Sequence, residues 1–365
     1  MAFQLSPGVN VSEIDLTTIV PSIATSIGGI AGNFNWGPVS EVVTISDEVR
    51  LVNRFGKPDS TNYEYWFSAA NFLAYSNNLK IVRAANTTST LNATANGSGV
   101  LIKNSDDYAA NRETATNTAY GPFGARYAGA LGNSLRISIC PSSQAYSSNL
   151  TSTDTVNVTR SGTGNTSVDV TSTPVANLYV GDLVSFDGGT SYVRTTAVST
   201  TYINVASAVT VTAGAPVLRK WQYADNFGVA PGTSDYVKNI TKTEAYDEMH
   251  LIVVDRLGKF SNGEANTVLE RFPIVSKSAD AVNDDGSSNF WVDVVNKKSQ
   301  YLWALNHAQN ASDVSGTASW GLESATQNGT GHLVATAYGE ANASYTMSLF
   351  GGTVAAPTNA QLNSS

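Results

Sequence analysis

Val42-Val43-Thr44-Ile45-Ser46-Asp47-Glu48-Val49-Arg50-Leu51-Val52-Asn53-Arg54-Phe55-Gly56-Lys57-Pro58 changes its periodicity midway, and that change decides the fold class. The β-branched run Val42 to Ile45 predicts a strand. Ser46-Asp47-Glu48 then opens a helix, with a capping side chain and two acids in the first turn. Val49, Val52 and Phe55 are its expected inner face, and Gly56 with Pro58 stops it. Downstream, Thr61-x-x-Glu64 reads as a capping box. Trp66, Ala69, Ala70 and Leu73 follow at the spacing of a buried helical stripe. Beyond Asn77-Asn78, Leu79-Lys80-Ile81-Val82-Arg83 predicts a strand. Upstream, Ile23, Thr25, Ile27 and Ile30 mark another, interrupted at Gly28-Gly29, where the backbone bulges or meets a neighbour. Trp36-Gly37-Pro38 is a turn. Residues 22–86 are thus expected to form a β-β-α-α-β layer of mixed α/β type.

Outward from this layer the composition divides the chain. Residues 1–21 alternate at Val9, Val11, Glu13 and Ile14 after Pro7-Gly8, and read as an extended arm. Residues 87–149 are expected to be an irregular insertion, rich in Thr, Asn and Ser, ending in a glycine turn that feeds a strand over 126–139. Residues 150–225 carry short strands, clearest at Val180–Phe186 and Thr201–Val205, with turns at Ser161-Gly162-Thr163-Gly164 and Asp187-Gly188-Gly189. Such spacing predicts an inserted all-β sandwich or barrel. Mixed α/β character resumes over 226–310. Met249–Asp255 reads as a buried strand, Val268–Phe272 as its antiparallel partner, and 289–306 as a helix or strand packed on them. Residues 311–365 are Ser/Thr/Gly-rich. The fold class expected is α+β and multidomain.

Composition excludes several functions. Only 14% of the 365 residues are charged and the net charge is -8, against roughly 25% charged in an ordinary globular chain. A nucleic-acid groove needs clustered Lys and Arg, so no direct nucleic-acid partner is expected. One cysteine, Cys140, permits neither a disulfide framework nor a cysteine zinc site. No apolar run reaches the roughly 18 residues needed to cross a bilayer, and Met1 opens no charged leader. The expectation is a chain made in the cytosol, without membrane insertion.

No motif for chemistry stands out. His250, His307 and His332 have no Cys, Asp or Glu at metal-ligand spacing. Neither a Gly-x-Ser-x-Gly elbow nor a phosphate loop is present. Asn283-Asp284-Asp285-Gly286-Ser287-Ser288-Asn289 lacks the bidentate Glu of a calcium loop and reads as a turn. Asp106-Asp107 and Asp284-Asp285 lie in turn-forming stretches. Cys140 reads as an inert buried thiol. Trp36 is expected in tertiary packing, with an exposed stacking role as the other reading. No catalytic residue, metal or cofactor is therefore expected.

The chain resembles the contractile tail sheath proteins of T4-like bacteriophages. The residues carrying this are Leu5-Ser6-Pro7-Gly8-Val9 with Glu13, Ile30-Ala31-Gly32, Phe34-Asn35-Trp36-Gly37-Pro38 and Leu51-Val52-Asn53-Arg54-Phe55-Gly56. They continue through Ala69-Ala70-Asn71-Phe72-Leu73 and Leu79-Lys80-Ile81-Val82-Arg83-Ala84. Gly129–Leu135 and Asp284–Asn289 resemble the cyanophage branch. The resemblance covers roughly 5–86, 122–139 and 230–306. It implies a non-enzymatic subunit of a virion tail, assembled in the bacterial cytoplasm, with the α/β layer near the tube side. Copies would form stacked six-fold rings around a tail tube protein, bounded by baseplate or terminator proteins, and contract without a nucleotide. Leu349-Phe350-Gly351-Gly352-Thr353 resembles a lead into a further C-terminal domain, expected to be missing here. Leu5, Pro7, Gly8, Val9, Val11 and Glu13 are the expected inter-subunit arm, able to add an edge strand to a neighbour. The alternative is a β-rich adhesin or carbohydrate-binding module using Trp36, Tyr192 or Trp221 to stack on sugars. A two-carboxylate glycosidase ranks below it.

Overall fold

The strand-to-helix change at Ser46 is present in the computed structural model, which describes residues 27–112, 119–149, 157–171, 178–241, 246–305, 344–358 and 362. The first layer contains β1 (Gly28–Gly32), β2 (Val42–Ile45), α1 (Glu48–Phe55), α2 (Tyr63–Leu73) and β3 (Leu79–Arg83). β3 is central, parallel to β1 and antiparallel to β2. Asp47 caps α1 by accepting the Arg50 N–H at 2.8 Å.

Two local expectations change. Leu51 and Phe55, one turn apart, form the buried stripe of α1, while Val49 is 68% exposed. Val49 lies about 200° round the helix from Leu51, so it points away from the core. The capping box does not form either. Asn62 is the N-cap, without a side-chain cap bond. The Asp59 carboxylate accepts from Thr61 N and Oγ1, both at 2.7 Å, and Asn62 Oδ1 accepts from Asp59 N at 2.7 Å. The helix starts with Asn62 at its N-cap, so Thr61 lies one residue before the position a capping box needs, and its hydroxyl donates to Asp59 instead.

At Gly28 and Gly32 the backbone meets a neighbour. A Cβ there would lie 2.5 Å from the Phe72 ring and 2.6 Å from the Tyr65 ring. The β1–β3 register runs unbroken from Gly28↔Leu79 to Gly32↔Arg83. Glycine lets α2 lie directly on the strand.

Across the 87–149 region, α3 (Ser105–Asn111) is capped by Asn104, β4 (Phe123–Ala125) precedes a 3₁₀ turn, and β5 (Leu135–Cys140) follows. The stretch expected to be irregular buries Ala93, Ala95, Val100 and Ile102. Its small apolar residues serve as core where chain segments cross closely. After α4 (Ser143–Tyr146) come β6 (Ser147–Asn149), β7 (Gly162–Asp169), β8 (Leu183–Ser185), β9 (Val193–Val198), β10 (Tyr202–Val211) and β11 (Leu218–Lys220). They form one antiparallel sheet in the order β6-β11-β8-β9-β10-β7. A separate valine-rich core lies within it.

α5 (Asp235–Thr241) leads toward β12 (Glu248–Asp255), which pairs antiparallel with both β5 and β13 (Thr267–Ser276). Both faces of β12 are covered. Met249, Leu251 and Val253 pack toward α6 (Trp291–Lys298), whereas Ile252 and Val254 pack toward Trp221. That double burial explains an apolar run without alternation. β14 (Leu302–Ala304) pairs with β4.

β15 (Tyr345–Ser348) completes the central sheet beside β5. Leu349 is fully buried, and Phe350 and Thr353 bridge to Thr94 and Leu91. Leu349–Thr353, which resemble a lead into a further domain, pack here against this core. The Asn133 side chain grips them, donating to Gly352 O and accepting from Gly352 N, both at 2.8 Å.

Candidate assembly surfaces

The side chains singled out for chemistry are occupied structurally. His250 is fully buried; its Nε2 meets Val229 O at 2.7 Å and its Nδ1 accepts the Ile274 N–H at 3.1 Å. These partners assign the neutral ring with the proton on Nε2. Burial lowers the His250 pKa, opposed by the bond to Val229. The folded state therefore binds fewer protons than the unfolded chain, and stability falls as pH drops below about 6.5 toward the folded pKa. We expect the urea-midpoint advantage of wild type over His250→Gln to shrink between pH 7.5 and pH 5. A difference that is flat with pH contradicts this assignment.

Cys140 is buried and its thiol is pushed up to about 12 by desolvation, which leaves it without thiolate character at neutral pH. Asp106 and Asp107 lie in the first turn of α3. The 283–289 stretch is a turn in which Asp285 accepts from Ser287 N and Oγ at 2.9 and 2.6 Å. Among the described residues, no group of three or more His, Cys, Asp or Glu is placed to hold a metal. No helix there is long and apolar enough to cross a membrane. Trp36 is 2% exposed and Trp221 fully buried, so neither presents a face to a sugar. Tyr192 is half-buried, with Lys220 Nζ 5.7 Å from its ring centroid. Leu5, Pro7, Gly8, Val9, Val11 and Glu13, with His307 and His332, lie outside the described residues.

A continuous set of contacts joins the first layer to the central sheet. Asp255, at the end of β12, accepts from Ser134 Oγ, Lys259 N, Phe260 N and Ser261 N and Oγ. Burial raises its pKa, but the hydrogen bonds from Ser134, Ser261 and Phe260 together hold it below the usual carboxylate value. This fixes Phe260, whose ring meets Trp36 edge-on at 5.1 Å between centroids. Trp36 also meets Tyr127 at 5.3 Å, and Tyr127 O–H takes a hydrogen bond from Arg54 of α1. Cavities of about 260 and 320 Å³ flank Trp36 on this seam.

Among the buried cations, Arg83 and Arg219 were not legible as such. Arg83 is fully buried; its Nε donates to Phe34 O and its Nη1 to Gly37 O, both at 2.7 Å. Desolvation lowers its pKa to about 9. Arg219 is likewise buried and lies 3.4 Å from Asp182 and from Ser344 Oγ. It ties the β-rich module to the segment entering β15. Burial raises the Asp182 pKa despite that guanidinium. In sequence, both arginines end or interrupt apolar strand patterns, which is a weak signal because Arg also snorkels.

The outer surfaces of the first layer are unusually apolar. Tyr63 and Phe67, one turn apart on α2, are 50% and 52% exposed, and Tyr75 beyond it is 93% exposed. The opposite face of the sheet presents Gly29, Ala31, Val42 and Val82 with Lys80; Val42 is 64% exposed. Exposed apolar patches of this kind mark interaction surfaces.

Comparison with known proteins bears on this same layer. Residues 25–84 match the family described as tail sheath protein Gp18 domain III N-terminal region. The tail sheath protein of Enterobacteria phage T4 is 41% identical over 80 residues, covering 22% of this chain and 12% of that protein. That of Vibrio phage KVP40 is 37% identical over 90 residues, or 25% and 13% of the two chains. That of Salmonella phage ViI is 30% identical over 142 residues, or 39% and 22%. The aligned regions therefore span about an eighth to a fifth of these relatives. The crystal structure of a sheath tail protein from Listeria innocua aligns with 52% of this chain and 34% of its own at 16% identity, with a TM-score of 0.20. That superposition establishes no shared overall architecture.

Proposed function

We infer that this chain, a relative of the contractile tail sheath proteins of T4-like phages, is a structural subunit of a phage tail sheath. The observation that carries the reading is the match of residues 25–84 to a tail sheath domain, whose layer also bears the exposed apolar faces on α2 and on the sheet. Copies stack as six-fold rings around a tail tube, with the α/β layer on the tube side. Contraction releases free energy stored at assembly and drives the tube through the host envelope. Rings of this type need heterologous contacts, in which one surface of a subunit meets a different surface of the next.

The arm supplies one such contact. Leu5, Pro7, Gly8, Val9, Val11 and Glu13 lie in a stretch able to extend and add a strand to a neighbour's sheet edge. Backbone hydrogen bonds of this kind persist while the bodies of the subunits re-dock. The β-rich module is read as a barrel. Residues 157–159 bond on one side to 169–171 and on the other to 214–215, through Thr159 N to Asp169 O and Val158 N to Ala215 O, both at 2.9 Å. Such a strand would close the sheet on itself.

Deleting residues 1–20 from the native protein is expected to leave the circular-dichroism spectrum and the melting transition close to wild type while abolishing polymers in electron micrographs. Polymers of normal length from the deletion would overturn the role given to the arm.

A further inference from the structure

We propose that the open face of the β1-β3-β2 sheet receives the outer face of α2 from a second copy of this chain, head to tail. The proposal rests on the sheath reading and names a contact that such an assembly would use. Its first support is an incomplete layer. β1 and β3 pair in parallel, and parallel pairs are normally covered on both faces. Here α1 and α2 cover one face, with Ile30, Ile45, Leu79 and Ile81 packed inward, while Ala31 and Val42 on the other are exposed.

The two surfaces fit each other in shape. Gly29 and Ala31 make the open face shallow beside Val42 and Val82. Tyr63 and Phe67 project from α2 on the side away from its buried Trp66 and Ala69. Large rings on one side and small residues on the other permit close approach without a cavity on either side.

They also fit in charge. Lys80, at the centre of the open face, is bound within its own chain to the Thr44 hydroxyl at 2.5 Å. Glu64 is the one charged residue of α2 and accepts from the neighbouring Tyr63 O–H at 3.2 Å. Each face thus carries a single charge of opposite sign, which favours this pairing over face-to-same-face association. Because the two surfaces lie on opposite sides of one layer, the contact cannot close as a two-fold dimer and propagates from copy to copy.

Cysteine cross-linking tests the contact in the full chain, since Cys140 is buried and leaves little background. The double variant Ala31→Cys/Phe67→Cys should give a ladder of trimers and larger species under mild oxidation, with each single variant staying monomeric on the same gel. Lys80→Glu and Glu64→Lys should each slow laddering of that double variant roughly tenfold, and their combination should restore it. Dimers from Phe67→Cys alone would mean that α2 pairs with α2 and would overturn the proposal. So would polymers from the wild-type protein without any cross-linked ladder, an outcome that leaves the sheath reading standing. Absence of both polymers and ladder would remove both.

Discussion

Gly351→Ala is expected to cost about 2–5 kcal/mol, a large share of an ordinary stability of about 5–15 kcal/mol. Gly351 has φ +78, and a Cβ there would sit 2.3 Å from Gly97 O and 2.8 Å from Gly97 C. Both obstacles are backbone, so no rotamer change relieves them. The left-handed conformation alone costs an alanine about 1–2 kcal/mol, and forced separation of packed segments adds about 1–3. Gly188→Ala is the control. It shares a positive φ, +73, but nothing lies within 4 Å of its added Cβ, so only the conformational cost of about 1–2 kcal/mol should appear. Urea unfolding of both variants measures the contrast. Equal losses would mean that residues 344–353 are not threaded through the core as described.

Arg83→Ala is expected to lose about 3 kcal/mol or more. Truncation strands the carbonyls of Phe34 and Gly37, each costing roughly 1–3 kcal/mol when left unpaired, and empties a fully buried site. Removing a charge that burial disfavours, as the pKa of about 9 records, returns part of that loss. Arg83→Met separates the effects, because it keeps most of the volume and discards the charge. Its expected cost is about half that of alanine. If methionine were as damaging as alanine, the two carbonyl bonds would account for nearly all of the effect. If alanine were tolerated within about 0.5 kcal/mol, as at an ordinary surface position, Arg83 would not be organising the 34–37 turn.

Local signals predicted the first layer well where tertiary packing agreed with them. Asp47 caps α1 as its position suggests, and Gly56 follows its last turn. The same sequence misled at Thr61, because the helix begins one residue later with Asn62 at the N-cap and Thr61 turns back to Asp59. It misled at Val49, since helical periodicity gives an apolar stripe two possible settings and only the core selects Leu51 with Phe55. Crossings remote in sequence left no trace. Nothing in Leu349 to Thr353 reveals a partner at Leu91 to Thr94, more than 250 residues earlier. Of the assembly surfaces, the arm lies outside the described residues. The spacing of Trp66, Ala69, Ala70 and Leu73 already set the inner side of α2, but the exposure of Tyr63 and Phe67 on its outer side shows only in the packed structure.

Negative-stain electron microscopy of the native protein, purified without its tail partners, tests the central claim most directly. The account predicts tubes or stacked six-fold rings built from one subunit type, and their loss when residues 1–20 are removed. Particles that remain monomeric at every salt concentration and protein concentration tried, with a normal cooperative melt, would contradict it.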